Sequence, residues 1–315
     1  MRQVGLKLLQ LVPVLFLVSV ATFSITELLP GDPAIAILGE NATPETIAAL
    51  RQELRLDDPI VTRYVDWAGD ALRGDLGIST RSKQPVTEAF RERLPVTLQL
   101  AVSAIIIGLL VAIPLGAWSA FRAGRLSDRL TTTASFALVG LPPFLMGLLL
   151  VYVLAVYREW FPVTGWVYLT EDLGQNFRHA FLPSMTLALT EISIFTQLLR
   201  ADMFATLQQD FVLAAKARGL PTHHILLREA LRPSSFSLIT LAGVNLGRLL
   251  GGTVIIEHLF AVPGIGRLVI AAIFTKDYPV LQGSVLMLAT AYLLLSTLID
   301  LSYAFIDPRI RRGRT

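Results

Sequence analysis

The chain has 315 residues, of which 53% are hydrophobic and only 16% charged, with a mean hydropathy of +0.60. A soluble protein of this size carries more charge, so the composition indicates a polytopic membrane protein, and the long apolar runs taken below make the expected fold all-α. The absence of cysteine excludes disulfides, Cys-ligated zinc and thiol nucleophiles; the net charge of +3 does not indicate nucleic acid, because the basic residues lie at the ends of apolar runs.

Leu8 to Leu29 forms the first apolar run, preceded by Arg2 and Lys7. Ser19-Val20-Ala21 could pass as a leader cleavage site, but the run continues past it, so we expect an uncleaved first span. Pro30-Gly31-Asp32-Pro33 breaks it. Residues 30–93 then hold eleven acidic and eight basic residues, forming a small helical segment outside the membrane. Within it, Thr43-Pro44-Glu45 marks a helix start with Ile47, Leu50 and Leu54 on one face. A second helix after Pro59 is expected to bury Ile60, Tyr64, Trp67 and Ala71 and to end at Gly74.

Five more spans are expected in residues 94–305: Leu94–Ala120, with Pro95 in its first turn, Thr131–Tyr157, Ala180–Leu199, Phe236–Ile256 and Val280–Phe305. Pro142-Pro143 removes two backbone donors and must kink or break the third span. Residues 158–179 and the polar stretch 257–279 fall on the outer side, and residues 306–315 form a basic tail. The assigned inner side carries fourteen Lys and Arg against five acids, while the long outer segment is net acidic. Both termini are therefore expected in the cytoplasm.

The loop between spans four and five, Asp202 to Pro233, is patterned like a folded object. Leu207, Phe211, Ala214 and Ala215 recur at three- and four-residue spacing and make an apolar stripe on a helix reaching about Arg218. Gly219 and Pro221 end it, Thr222 is placed to cap a second helix, and Pro233 is expected to close that helix. Pattern alone leaves two readings: a surface for another protein, or a loop packed on its own membrane domain.

No GxxxxGK[ST], HExxH or GxSxG motif occurs, so any ATP must be bound elsewhere and no enzyme chemistry is indicated. The four histidines lack the spacing of a metal site. Glu191 and Arg248 fall inside apolar spans, where a charge costs about 3 kcal/mol even on the gentlest scale. They line a polar path, or pair with each other or a partner, and the sequence leaves both open. Asn245, Gln197 and Thr196 offer hydrogen bonds along the same path or between helices. Asp300, near the inner end of the last span, reads as a local anchor.

Ala214-Ala215 with Gly219 four residues later, then Leu231 and Pro233, resembles the EAA loop of permease subunits of binding-protein-dependent ABC importers. Leu213 stands where that motif has Glu, Glu229 where it has Ile, and Pro233 falls one position late. Leu28-Leu29-Pro30-Gly31-Asp32-Pro33, Leu56-Asp57-Asp58-Pro59, Arg73-Gly74-Asp75-Leu76-Gly77, Arg93-Leu94-Pro95-Val96-Thr97-Leu98, Glu257-His258-Leu259-Phe260, Pro263-Gly264-Ile265-Gly266, Asp277-Tyr278-Pro279 and Asp307-Pro308-Arg309 are similar to landmarks of the dipeptide, oligopeptide and nickel importer permeases, in that order along the chain. The resemblance implies a six-span permease of type I importer fold in the bacterial inner membrane. It implies a second permease, two ATPase subunits that bind ATP and Mg, an extracytoplasmic binding protein, and no cofactor in this chain. By the same resemblance Phe211, Ala214, Ala215, Lys216, Ala217, Arg218, Gly219 and Leu220 form the ATPase-coupling loop, and transport is by alternating access. The cargo implied is a peptide, with nickel or a metal chelate as the alternative within the family and an ATP-independent secondary carrier as the alternative outside it.

Overall fold

The expected apolar segments are helical in the computed structural model, which describes residues 2–28, 33–38, 43–53 and 55–306, but Thr131–Tyr157 and Phe236–Ile256 are each divided between two helices. In chain order the helices are α1 (Arg2–Leu28), α2 (Pro33–Leu38), α3 (Pro44–Glu53), α4 (Ile60–Leu72), α5 (Val86–Phe121), α6 (Leu126–Gly140), α7 (Pro143–Leu150), α8 (Leu173–Thr206), α9 (Asp210–Ala217), α10 (Thr222–His224), α11 (Leu231–Gly252), α12 (Val254–Leu259), α13 (Ile265–Thr275) and α14 (Tyr278–Ile306). Two stretches, Val151–Tyr157 and Ile225–Ala230, widen into π-helical turns.

Among the described residues three helices, α5, α8 and α14, are long and apolar enough to cross a membrane alone. A fourth span is broken: α6 and the helix from Pro143 to Tyr157 meet at 106°. Leu141 and Pro142 are extended there, with ψ of 135° and 134°. A residue before proline is pushed out of the helical region, and the pair Pro142-Pro143 imposes that twice. Asn245 and Arg248 dilute the hydropathy of α11, yet its 22 residues still reach roughly 33 Å, the thickness of a hydrocarbon core.

The chain divides into two compact units, Met1–Thr97 with Pro263–Thr297, and Leu98–Val262 with Leu298–Thr315. In the first, Thr43 caps α3, its hydroxyl accepting the Thr46 N–H at 3.2 Å. The half-buried Tyr64 and Trp67 of α4 meet Phe23 of α1 at ring distances of 5.6 and 5.7 Å, and Ser19 shares a 2.8 Å hydrogen bond with the Tyr64 hydroxyl. Contrary to expectation, Ile60 stays 50% exposed, because it sits at the first position of α4, beyond the reach of α1. Leu54 lies outside the described residues. Ser79 and the Thr80 N–H both donate to the buried Asp277, fixing the 76–86 segment to the α13–α14 corner. Nor is the stretch 257–279 uniformly polar, since α13 within it is apolar.

In the second unit α5 packs on α8 through small residues. A Cβ on Gly108 would lie 3.1 Å from Glu191 Cβ, and one on Gly116 3.1 Å from Leu199 Cβ. With Ala104 and Ala112, both fully buried, these glycines recur every four residues and let the two backbones approach. Pro95 is not in the first turn of its helix as expected, because α5 begins nine residues earlier at Val86. It and Arg91, whose carbonyl loses its helical donor at the proline, are both exposed, where a solvent donor can replace the missing N–H. Asp172, whose carboxylate accepts the Gln175 N–H at 3.0 Å, starts α8 well before the expected Ala180.

Candidate functional site

The 202–233 loop folds as a helix, a tight corner and a second helical entry. α9 starts at Asp210, three residues after Leu207, and buries Val212 and Ala215 completely against Ile225, with Leu207 and Leu220 packed alongside. The expected stripe is thus rotated. Leu207 belongs to the end of α8, and α9 buries the Val212 side, leaving Phe211 47% and Leu213 50% exposed. Ala214, Lys216, Ala217, Arg218 and Gly219 are exposed with them.

Gly219 takes φ of +75°, the left-handed conformation that ends a helix. Its N–H donates to the Lys216 carbonyl at 2.9 Å, and the Leu220 N–H donates to the Ala215 carbonyl at 3.3 Å. Two expectations fail beyond the corner. Thr222 makes no capping bond with its side chain; the Pro221 carbonyl instead accepts from His224 and Ile225 at 3.0 and 3.1 Å. Pro233 does not close the second helix, which passes through the π-helical turn 225–230 into α11. The proline falls in the first turn after that register shift, where its missing N–H does least damage. A hydrogen bond of 3.0 Å between Thr206 and Ser234 ties the two ends of the loop.

Between this element and the end of α5 lies a cleft of about 500 Å³ lined on one side by Ala120, Phe121 and Ala123 and on the other by Phe204, Leu207, Lys216 and Leu220. A buried carboxylate joins the same two parts of the chain. Asp128, 3% exposed, accepts from Ser119 Oγ at 2.6 Å, the Gly124 N–H at 2.8 Å, and Arg200 Nε and Nη2 at 2.5 and 2.8 Å. The bidentate Arg200 guanidinium, more than the Ser119 and Gly124 donors, holds the Asp128 carboxyl well below the usual carboxylate range, against the opposing effect of burial. The sequence shows Asp128 only as the lone acid among Arg122, Arg125 and Arg129; its partner, 72 residues away, carries no local signal.

Midway along the spans, Glu191 of α8 is fully buried and both its oxygens are used. Oε2 accepts from Asn245 Nδ2 at 2.6 Å, and Oε1 from Arg248 Nη2 at 2.7 Å. Asn245 and Arg248, one helical turn apart on α11, therefore present one face to α8. The Arg248 side chain remains 56% exposed. Gln197 is not part of this group. It lies six residues along α8, about 9 Å away by helical rise, and its Nε2, like Thr196 Oγ1, is buried with no hydrogen-bond partner among the described residues. The side chain of Asp300 lies outside the described residues.

The family described as binding-protein-dependent transport system inner membrane component matches residues 112–312, and the family describing the N-terminal part of such components matches residues 1–101. Over 305 residues the chain is 35% identical to a probable peptide ABC transporter permease protein, y4tP, of Sinorhizobium fredii, covering 97% of each chain. It is 38% identical to a putative peptide transport system permease protein of Brucella abortus, covering 96% of each. It is 32% identical to the glutathione transport system permease protein GsiC of Escherichia coli K12, covering 97% of each. Among solved structures, the crystal structure of an amino acid ABC transporter with histidines shares the fold at a TM-score of 0.51 and 16% identity, covering 71% of this chain and 94% of that one.

Proposed function

The chain belongs to the binding-protein-dependent transport system inner membrane component family, and from that membership we propose that it is the permease subunit through which an ATP-driven importer moves peptides across the bacterial inner membrane. It is a multi-pass transport permease, not an enzyme. The peptide cargo rests on the names of the relatives along the whole chain. One observation carries the coupling role. The 202–233 loop is internally packed on Val212, Ala215 and Ile225 while it leaves Phe211 and Leu213 uncovered, so a rigid element offers apolar side chains to a second protein.

In this reading both termini and the 202–233 loop face the cytoplasm, and the loop seats on one of two ATPase subunits that bind ATP and Mg. A second, similar permease completes the pathway, and an extracytoplasmic binding protein delivers cargo at the far side. ATP binding favours one of two global states and hydrolysis releases it, so the spans expose the path alternately to either side. Glu191, Asn245 and Arg248 line that path. A half-exposed guanidinium inside a span is costly against lipid and is tolerated against water or a polar partner. Its positive charge, anchored by a carboxylate whose oxygens are both occupied, favours a carboxylate-bearing peptide over a bare nickel cation.

The test is reconstitution of the whole complex in vesicles with the loaded binding protein inside or outside. ATP-dependent accumulation of labelled peptide, unaffected by collapsing ion gradients, supports the proposal. Uptake that follows an ion gradient without ATP would replace it with a secondary carrier.

A further inference from the structure

The cleft between the 121–125 turn and the coupling element raises a mechanical question. Packing across a cleft of about 500 Å³ transmits displacement poorly, yet the turn ends α5 and the coupling element begins where α8 ends. Besides the packing of Gly116 on Leu199, the two are joined by the Asp128 carboxylate at the start of α6, gripped from one side by Ser119 at the end of α5 and by the Gly124 N–H of the turn, and from the other by Arg200 Nε and Nη2. Gly124, at φ of +80°, directs its N–H into the carboxylate from a conformation other residues rarely adopt. Every strong acceptor position of Asp128 is used on these three partners, and the group is 3% exposed.

We infer that the Asp128–Arg200 pair is the positioning link of the coupling stroke: it makes the cytoplasmic end of α5, its turn and the end of α8 move as one body when the 202–233 loop is displaced. A bidentate guanidinium–carboxylate pair has two parallel bonds and so resists rotation as well as separation, which a single-point contact does not. Arg200 lies seven residues before Leu207, so displacement of the loop reaches the clamp through about two turns of α8. Without it, α5 would stay packed on α8 at Gly116 and Leu199, but the 121–125 turn and the start of α6 would lag when the loop moves α8 and α11. This inference rests on the reading of the loop as the ATPase-coupling element.

The natural chain has no cysteine, so spin labels can be placed at will. Labels at the exposed positions Arg125→Cys and Gln209→Cys report the distance between turn and loop in the assembled complex, with and without trapped ATP. The expected wild-type result is one narrow distance common to both states. Asp128→Asn should leave ATP hydrolysis within about twofold while broadening that distance in the ATP state and lowering peptide moved per ATP about tenfold, within the range of ordinary coupling effects. An unchanged, narrow distance and unchanged transport per ATP in Asp128→Asn would overturn the inference, as would a wild-type distance that changes between states. Should Asp128→Asn fail to assemble, Arg200→Lys keeps the charge but gives up the fork; intermediate coupling in it supports the inference, whereas wild-type coupling, or failure to assemble as well, reduces the pair to a scaffold. Loss of ATP dependence in the wild-type complex would instead sink the importer reading and is read from the control alone.

Discussion

Replacing Gly219 by valine isolates the corner of the coupling element from everything around it. A Cβ at this position would meet nothing within 4 Å, so the substitution brings no clash. The whole effect comes from φ of +75°, where an L side chain costs about 1–2 kcal/mol and a β-branched one more. That is small against the 5–15 kcal/mol stability typical of a folded protein, so the chain remains folded and the complex assembles. It is large for one corner, since about 1.4 kcal/mol is tenfold in an equilibrium. Relief requires breaking the Gly219–Lys216 or Leu220–Ala215 backbone bonds, which re-aims Phe211 and Arg218. In vesicles holding the complete complex, Gly219→Val should therefore retain ATP hydrolysis but lose about tenfold in peptide moved per ATP. Gly219→Asn, which tolerates the left-handed region, should lose least, and Gly219→Ala should fall between. Wild-type transport per ATP in Gly219→Val, or equal losses for Asn and Val, would refute the argument that the corner's backbone sets the coupling geometry.

Three further outcomes follow from other contacts. Gly108→Leu drives a side chain into Glu191 and Phe195, 3.1 and 3.3 Å from the first added atom, and overpacking of about 1–3 kcal/mol or more should lower the yield of folded protein, read by monodisperse recovery in detergent. Arg248→Met strands the buried Glu191 charge with Asn245 alone. Thermal melting should show a loss of about 1–3 kcal/mol, below the 3–5 of a fully buried pair because Arg248 is half exposed, and Glu191→Leu added to it should restore part of the loss. For Asp128 the folded pKa is depressed, so its contribution to stability is complete above the unfolded value of about 3.9 and is lost as pH falls through the folded pKa. The melting difference between wild type and Asp128→Asn should be flat from about pH 8 to 5 and narrow only below about pH 4; a difference that already shrinks near pH 6 would mean Asp128 is not held as the geometry indicates.

What the sequence disclosed, and what it hid, divides along a physical line. Features written in consecutive residues were legible. Pro142-Pro143 predicts the break that the structure opens to 106°, and Thr43 before Pro44 predicts the capped start of α3. The apolar runs predict where helices form, though the fifth run crosses from α11 into α12. Features decided by partners far along the chain were not. Phe211 and Val212 are both apolar, and only the position of Ile225 after the corner decides that Val212 turns inward. Pro233 reads as a helix stop, because a π-helical register shift cannot be seen in residue types. Glu191 and Arg248 stand out as misplaced charges, but their direct pairing needs α8 and α11 side by side. Asp128 and Arg200 sit among other loop charges and gave no sign of their bond.

The central claim, that this chain is one permease of an ATP-coupled importer, is tested most directly by native co-purification. The tagged chain is extracted gently from its own membrane, and the co-eluting proteins and any trapped small molecule are identified by mass spectrometry. The account predicts a second, similar permease together with ATPase subunits, and a binding protein holding peptide when cargo is present. A chain that elutes alone and still moves solute in vesicles without ATP would contradict it.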